Sequence, residues 1–182
     1  MTENLNDFEL VNQFLSGNEA AFNKIVIKYQ ERIYWHARRM TGNHPDADEI
    51  VQEVLLVIYQ KLKTFKFQSS LYTWIFRITS TRCINLIRKN KVKRLFSLDD
   101  KSDELHSLPD FIKNVEDKEK LELINKALQK LPVKQREVFI MRNFDELSYE
   151  EIAVISGKSI GGLKANYFHA VNKLLELIKD EN

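Results

Sequence analysis

A chain of 182 residues, 43% apolar and 30% charged, has the composition of a folding protein with one ordinary domain or two small ones. Five Gly and three Pro argue against an all-β protein and against a nucleotide-binding α/β fold, which needs turns and a Gly-rich phosphate loop. One cysteine, Cys83, excludes an internal disulfide framework and a multi-cysteine zinc site and fits a reducing cytosol, while the net charge of +2 conceals a strong asymmetry along the chain.

No apolar run approaches the ~20 residues that span a bilayer, and the first residues lack the basic start and apolar stretch of a secretory signal, so a cytoplasmic protein is expected. The periodicity predicts helices throughout. Asp7 to Leu15 is a short one. Phe22, Ile25, Tyr29, Ile33, Ala37 and Met40 mark one buried stripe of the next, which Thr41-Gly42-Asn43-His44-Pro45 breaks. A further helix is expected from about Asp46 to Leu62, with Val51, Val54, Leu55, Ile58 and Leu62 as its apolar positions, and another from Leu71 to Asn90. On the last, Ile75, Ile78 and Leu86 are expected to face inward, and Cys83 with them as a small core residue.

Charge changes sign along this stretch. Asp46, Asp48, Glu49 and Glu53 form an acidic cluster. From Val54 to Leu98 there is no Asp or Glu, and Lys61, Lys63, Lys66, Arg77, Arg82, Arg88, Lys89, Lys91, Lys93 and Arg94 accumulate. An acid-free basic block is the footprint of a polyanion binder, and interleaved aromatics (Tyr59, Phe65, Phe67, Tyr72, Trp74, Phe76) suit unpaired nucleic acid, although many of them are expected in the core. A merely solvated surface is the other reading of such a block.

From Ser97 to about Val115 the composition turns polar and acidic, which reads as a linker. Asp99, Asp100, Asp103, Glu104, Asp110, Glu116, Asp117 and Glu119 lie in or next to it. Helical signal returns from Glu116 to Lys130, and Pro132 suits the first position of a helix running to Asn143. Ser148-Tyr149-Glu150-Glu151 is a capping box opening a helix through Ile155, and Gly157 in Ser156-Gly157-Lys158 suits a left-handed turn. A longer helix then starts near Ser159. It gathers Leu163, Tyr167, Ala170, Val171, Leu174 and Ile178 on one face, and Ala165, His169 and Asn172, flanked by Lys164, Asn166 and Lys173, on the other. Short helix, tight turn and long helix with an acid-free polar face match a DNA-binding helix-turn-helix, the alternative being an ordinary helical hairpin.

These residues resemble a known family. Ala21-Phe22 with Tyr29, Met40-Thr41-Gly42-Asn43, Asp48 to Val54, Tyr72 to Ile78, Leu131-Pro132 with Arg136 to Phe139, Leu147 to Ala153, and Gly161-Gly162-Leu163-Lys164 occur in the order found in sigma-70-family sigma factors of the extracytoplasmic-function (ECF) group. The resemblance implies an all-α chain of two small helical domains: region 2 over residues 1–95, an acidic linker over 96–115, and region 4 with its helix-turn-helix over 116–182.

It implies further a protein that binds core RNA polymerase, on a basic coiled coil of the largest subunit, and directs it to promoters. Glu49, Gln52, Glu53 and Gln60 are the implied polymerase-binding set, and a carboxylate face suits such a partner. Lys66, Trp74, Arg77, Thr81, Arg82, Asn85 and Arg88 are the implied minus-10 set, where the non-template strand becomes single and a base is flipped out. Trp74 also reads as a core residue. Lys158, Ser159, Lys164, Ala165, Asn166 and His169 are the implied minus-35 set, with Asn166 able to pair with adenine and Lys164 with guanine or phosphate. The acidic linker reads either as a nucleic-acid mimic or as a solvated tether. An anti-sigma factor is an implied partner.

An enzyme is not expected, since no phosphate-cradling loop, zinc motif or nucleophile elbow is present. No cofactor, metal or small-molecule substrate is expected. A repressor or activator using only the helix-turn-helix would leave the acidic helix and the basic aromatic block without a role.

Overall fold

The computed structural model describes residues 6–96 and 115–179, and among these every regular element is helical. The expected linker falls almost wholly outside them. In order come α1 (Asp7–Leu15), α2 (Glu19–Thr41), α3 (His44–Lys61), a 3-10 turn (Leu62–Thr64), α4 (Leu71–Phe96), α5 (Val115–Gln129), α6 (Val133–Asn143), α7 (Tyr149–Ser156) and α8 (Ile160–Lys179).

Local chemistry sets the boundaries. Asn6 and Glu9 form a capping box on α1. Gly42 ends α2 in a left-handed conformation at φ 89°, which side chains disfavour. Asn43 then caps α3 immediately, so that helix resumes at His44, two residues before the sequence-based start, with Pro45 absorbed in its first turn. Pro132 sits one residue earlier than expected, at the N-cap of α6 rather than inside it. α4 runs six residues beyond the expected Asn90, to Phe96, because nothing between Asn90 and Phe96 breaks a helix.

α2 is the axis of the first unit. Its stripe Ala21, Ile25, Tyr29, Ile33, His36, Ala37 and Met40 is buried against α1, α3 and α4. The second unit packs α6, α7 and α8 around Leu128, Val138, Ile140, Met141, Ile152, Leu163 and Ala170. The two units do not stand apart. α5 and α6 lie on α2, α7 lies on α4, and the buried apolar side chains form a single cluster. Buried Thr79 and Ser80 on α4 and buried Glu137 on α6 show where that contact runs.

Candidate nucleic-acid interface

α3 presents a polar face. Its inward stripe of Ala47, Ile50, Val54 and Ile58 is buried, which turns Glu49, Gln52, Glu53 and Gln60 outward, and all four are exposed. Asp46 is committed locally, accepting from Asn43 at 2.9 Å and from Asn90 at 3.1 Å. Among the described residues no group of His, Cys, Asp and Glu is placed to hold a metal ion.

α4 is covered on several sides, by α2 and α3 and by α7. Ile75, Phe76, Thr79, Ser80 and Cys83 are buried. One strip is left, and Arg77, Thr81, Asn85 and Arg88 lie along it, all four exposed. Thr81 Oγ1 donates to the Arg77 carbonyl at 2.7 Å, which holds the hydroxyl against the helix. Arg82, at the margin, reaches Glu53 at 3.4 Å across a groove that Glu49, Asn85, Leu86 and Lys89 also line. The polymerase-binding and minus-10 candidates thus meet at one seam.

Before α4 the chain carries exposed Lys66 and Phe67, the latter at φ 55°, a conformation a bulky residue rarely adopts. Phe67 touches Phe8 of α1 and Phe65, with ring centroids 5.0 and 4.9 Å apart, and Phe65 touches Trp74 at 5.3 Å. Half-buried Trp74 therefore packs on the loop while part of its surface stays open. Phe65 and Phe76 belong to the core, as expected of part of the aromatic block, whereas Tyr59 and Phe67 remain exposed.

The helix-turn-helix forms from its caps. Ser148 accepts from the Glu151 amide at 3.1 Å and the Glu151 carboxylate returns to the Ser148 amide at 2.8 Å. Gly157 closes α7 at φ 69°. Ser159 Oγ accepts from the Gly162 amide, opening α8. Lys164, Ala165 and His169 are exposed along α8, and Asn166 is half-buried with its amide nitrogen donating to the Gly162 carbonyl at 2.7 Å. That bond leaves the Asn166 carbonyl oxygen unused by it. Lys158 is engaged otherwise: its ammonium pairs with buried Glu137.

Sequence reasoning missed a polar cluster between the two units. Arg136, 6% exposed, donates to the Met40 carbonyl at 2.5 Å and to the Gln129 carbonyl at 2.8 Å, and burial pulls its pKa down to about 10. It remains charged at neutral pH. Ser80 Oγ donates to Glu137. Gln129 donates to the Arg39 carbonyl at 2.9 Å, and the Tyr72 hydroxyl donates to the Asp145 carbonyl at 3.2 Å. His36 Nδ1 lies 2.6 Å from Asp145 Oδ2. The only signal in the sequence was polar residues at core-facing helix positions, which periodicity alone discards.

Comparisons agree with this geometry. A model of sigma-70 region 2 matches residues 25–92 and a model of sigma-70 region 4 matches residues 121–174. The chain is 28% identical to the ECF RNA polymerase sigma-E factor of Escherichia coli K12, over 98% of this chain and 100% of that one. It is 27% identical to the RNA polymerase sigma-H factor of Pseudomonas aeruginosa, over 90% of this chain and 89% of that one. The solved sigma factor RpoE in complex with the anti-sigma factor NepR from Bartonella quintana is 26% identical, with a TM-score of 0.73 over 88% of this chain and 98% of that one. CnrH, solved with the cytosolic domain of CnrY, shares the fold, with a TM-score of 0.72 over 95% of this chain and 97% of that one at 23% identity.

Proposed function

The chain belongs to the sigma-70 family, in its extracytoplasmic-function group, and on that footing we propose how its surfaces divide the work. Its function is to bind core RNA polymerase and to direct promoter-specific initiation through minus-10 and minus-35 DNA. The bond-making chemistry of RNA synthesis is the polymerase's, and this chain acts by binding. No described helix is long and apolar enough to cross a membrane, and work with the polymerase puts the chain in the cytoplasm.

Residues 1–95 form the polymerase-binding and minus-10 unit, 96–115 the acidic linker, and 116–182 the minus-35 unit. Glu49, Gln52, Glu53 and Gln60 dock on a basic coiled coil of the largest polymerase subunit. Arg77, Thr81, Asn85 and Arg88, with Lys66, Trp74 and Arg82 beside them, hold the separated non-template strand. Cations neutralise phosphates there and offset the few kcal/mol, roughly, of unstacking a base. Lys164 and Asn166 read base edges in the major groove, with Ala165, His169, Lys158 and Ser159 along the same edge.

The observation that carries this reading is exposure. On one helix the amide and carboxylate side chains of Gln52 and Glu53 are turned out, and on the next an acid-free strip from Arg77 to Arg88 is left open while α2, α3 and α7 pack the other sides of that helix. An anti-sigma factor, of the kind that holds the Bartonella quintana relative in its solved complex, is proposed as the inhibitory partner. Run-off transcription with purified core polymerase tests the whole: specific initiation that requires this chain supports it, and duplex binding without initiation contradicts it.

A further inference from the structure

Asp145, in the loop between α6 and α7, is inserted against α2 and α4 of the first unit. Its carboxylate meets His36 at 2.6 Å, and the two side chains are 5% and 0% exposed. The Tyr72 hydroxyl holds the Asp145 carbonyl, Arg136 reaches the Met40 carbonyl, Gln129 reaches the Arg39 carbonyl, and Ser80 reaches Glu137. The Arg39 guanidinium lies 4.2 Å from the centroid of the Phe144 ring. Each of these contacts joins α2 or α4 to the C-terminal unit.

We infer that this junction is a self-closing clasp, locked by the His36 imidazolium and the Asp145 carboxylate, which holds the two DNA-reading units together in the free protein and must open before both engage one promoter. The inference rests on the sigma-factor reading, because it needs both promoter elements. Their nominal positions lie about 25 base pairs apart, or ~85 Å at ~3.4 Å per pair. A compact body of this length has a radius of gyration of about 16 Å, and so is roughly 40 Å across. A closed chain cannot set α4 on one element and α8 on the other. The clasp also reaches the helix-turn-helix directly, since Glu137 accepts from Ser80 with one oxygen and holds Lys158 with the other.

The lock titrates. The groups around the pair are Arg39, Arg32 and Glu31 on α2, Tyr72 and the Cys83 thiol on α4, Glu146 next to Asp145, and Glu151 on α7. Burial of the His36 ring opposes its charge, but the Asp145 carboxylate and the nearby Cys83 thiol outweigh burial, and the pKa is pushed up to about 10. Once opened into water the ring returns toward about 6.5. Closure therefore takes up a proton. It is favoured fully below about pH 6.5 and loosens as pH rises toward 10, by up to about tenfold per pH unit. Removing either partner leaves the other buried without its counter-charge, which opening relieves.

Small-angle scattering from the full free chain tests this. The wild type is expected compact at pH 7 and expanded by pH 10. His36→Gln and Asp145→Asn chains are expected expanded already at pH 7, with helical circular dichroism retained and little further change with pH. A wild-type chain already extended at pH 7, or folded variants as compact as the wild type, would overturn the clasp. If both variants fail to fold, the wild-type pH series decides, because a radius unchanged from pH 7 to 10 removes the lock. Transcription is scored separately. Initiation by a chain that is always extended sinks the clasp alone, and a chain that opens as described but never initiates sinks the sigma-factor reading.

Discussion

Glu53 is the side chain expected to matter for binding and little for folding. It sits well inside α3, beyond the reach of the helix dipole's first turn, and its ionic partner among the described residues is Arg82 at 3.4 Å. Both side chains are more than two-fifths exposed, so the pair contributes at most about 1 kcal/mol. Glu53→Lys is therefore expected to reduce core-polymerase affinity at least about tenfold while the urea midpoint moves little. Equal loss of stability and binding would remove Glu53 from the docking face. At the other end of the chain, Lys164→Ala with Asn166→Ala is expected to weaken binding to minus-35 duplex by ~1–3 kcal/mol for each base no longer recognised and to leave core binding unchanged. Competition binding with duplexes altered at single positions measures this directly. The sequence singled out these side chains as candidates because charge and exposure go together, and Glu53 and Lys164 are exposed while Asn166 is half-buried.

At the scale of the element, the caps were legible and the surroundings were not. Ser148 and Glu151 close the capping box as the spacing required, and Ser148→Ala is expected to destabilise the C-terminal unit by about 1 kcal/mol in chemical denaturation. Gly42 shows the limit. Its left-handed φ of 89° could be inferred from a Gly after a helix, but a Cβ there would stand 2.6 Å from Gln129 of α5. Gly42→Ala is thus expected to cost stability twice, through backbone strain and by displacing the side chain that ties Arg39 to α5. The measurement is the denaturation midpoint of Gly42→Ala against that of Gly17→Ala, where φ is also positive, at 97°, and nothing lies within 4 Å. A similar loss at both sites would show that the Gln129 contact adds nothing. α4 extends the same lesson. Its outward strip from Arg77 to Arg88 followed from periodicity, but Ser80 is buried where it donates to Glu137 of α6, and nothing in α4 itself announces α6.

For the molecule as a whole, the cations on α4 and α8 are expected to set the response of promoter binding to salt. Promoter binding by the polymerase complex is expected to fall linearly on a log-log plot against salt, with a slope near about −0.9 per phosphate neutralised on duplex and a smaller slope on single strands. Replacing Arg77 or Arg88 by Gln is expected to reduce that slope by about one unit each, and an unchanged slope would take these residues off the DNA.

The sequence alone determined the helices, their caps, the faces that meet solvent and the family, because each depends on neighbours three or four residues away or on motifs in order. Only the tertiary structure decided how the two units meet. His36 and Asp145 are 109 positions apart, and so the pair that joins them has no periodic or local trace in the chain. A polar side chain on a buried face is satisfied by whichever partner the folded backbone brings to it, and that partner is fixed by packing in three dimensions rather than by spacing in one.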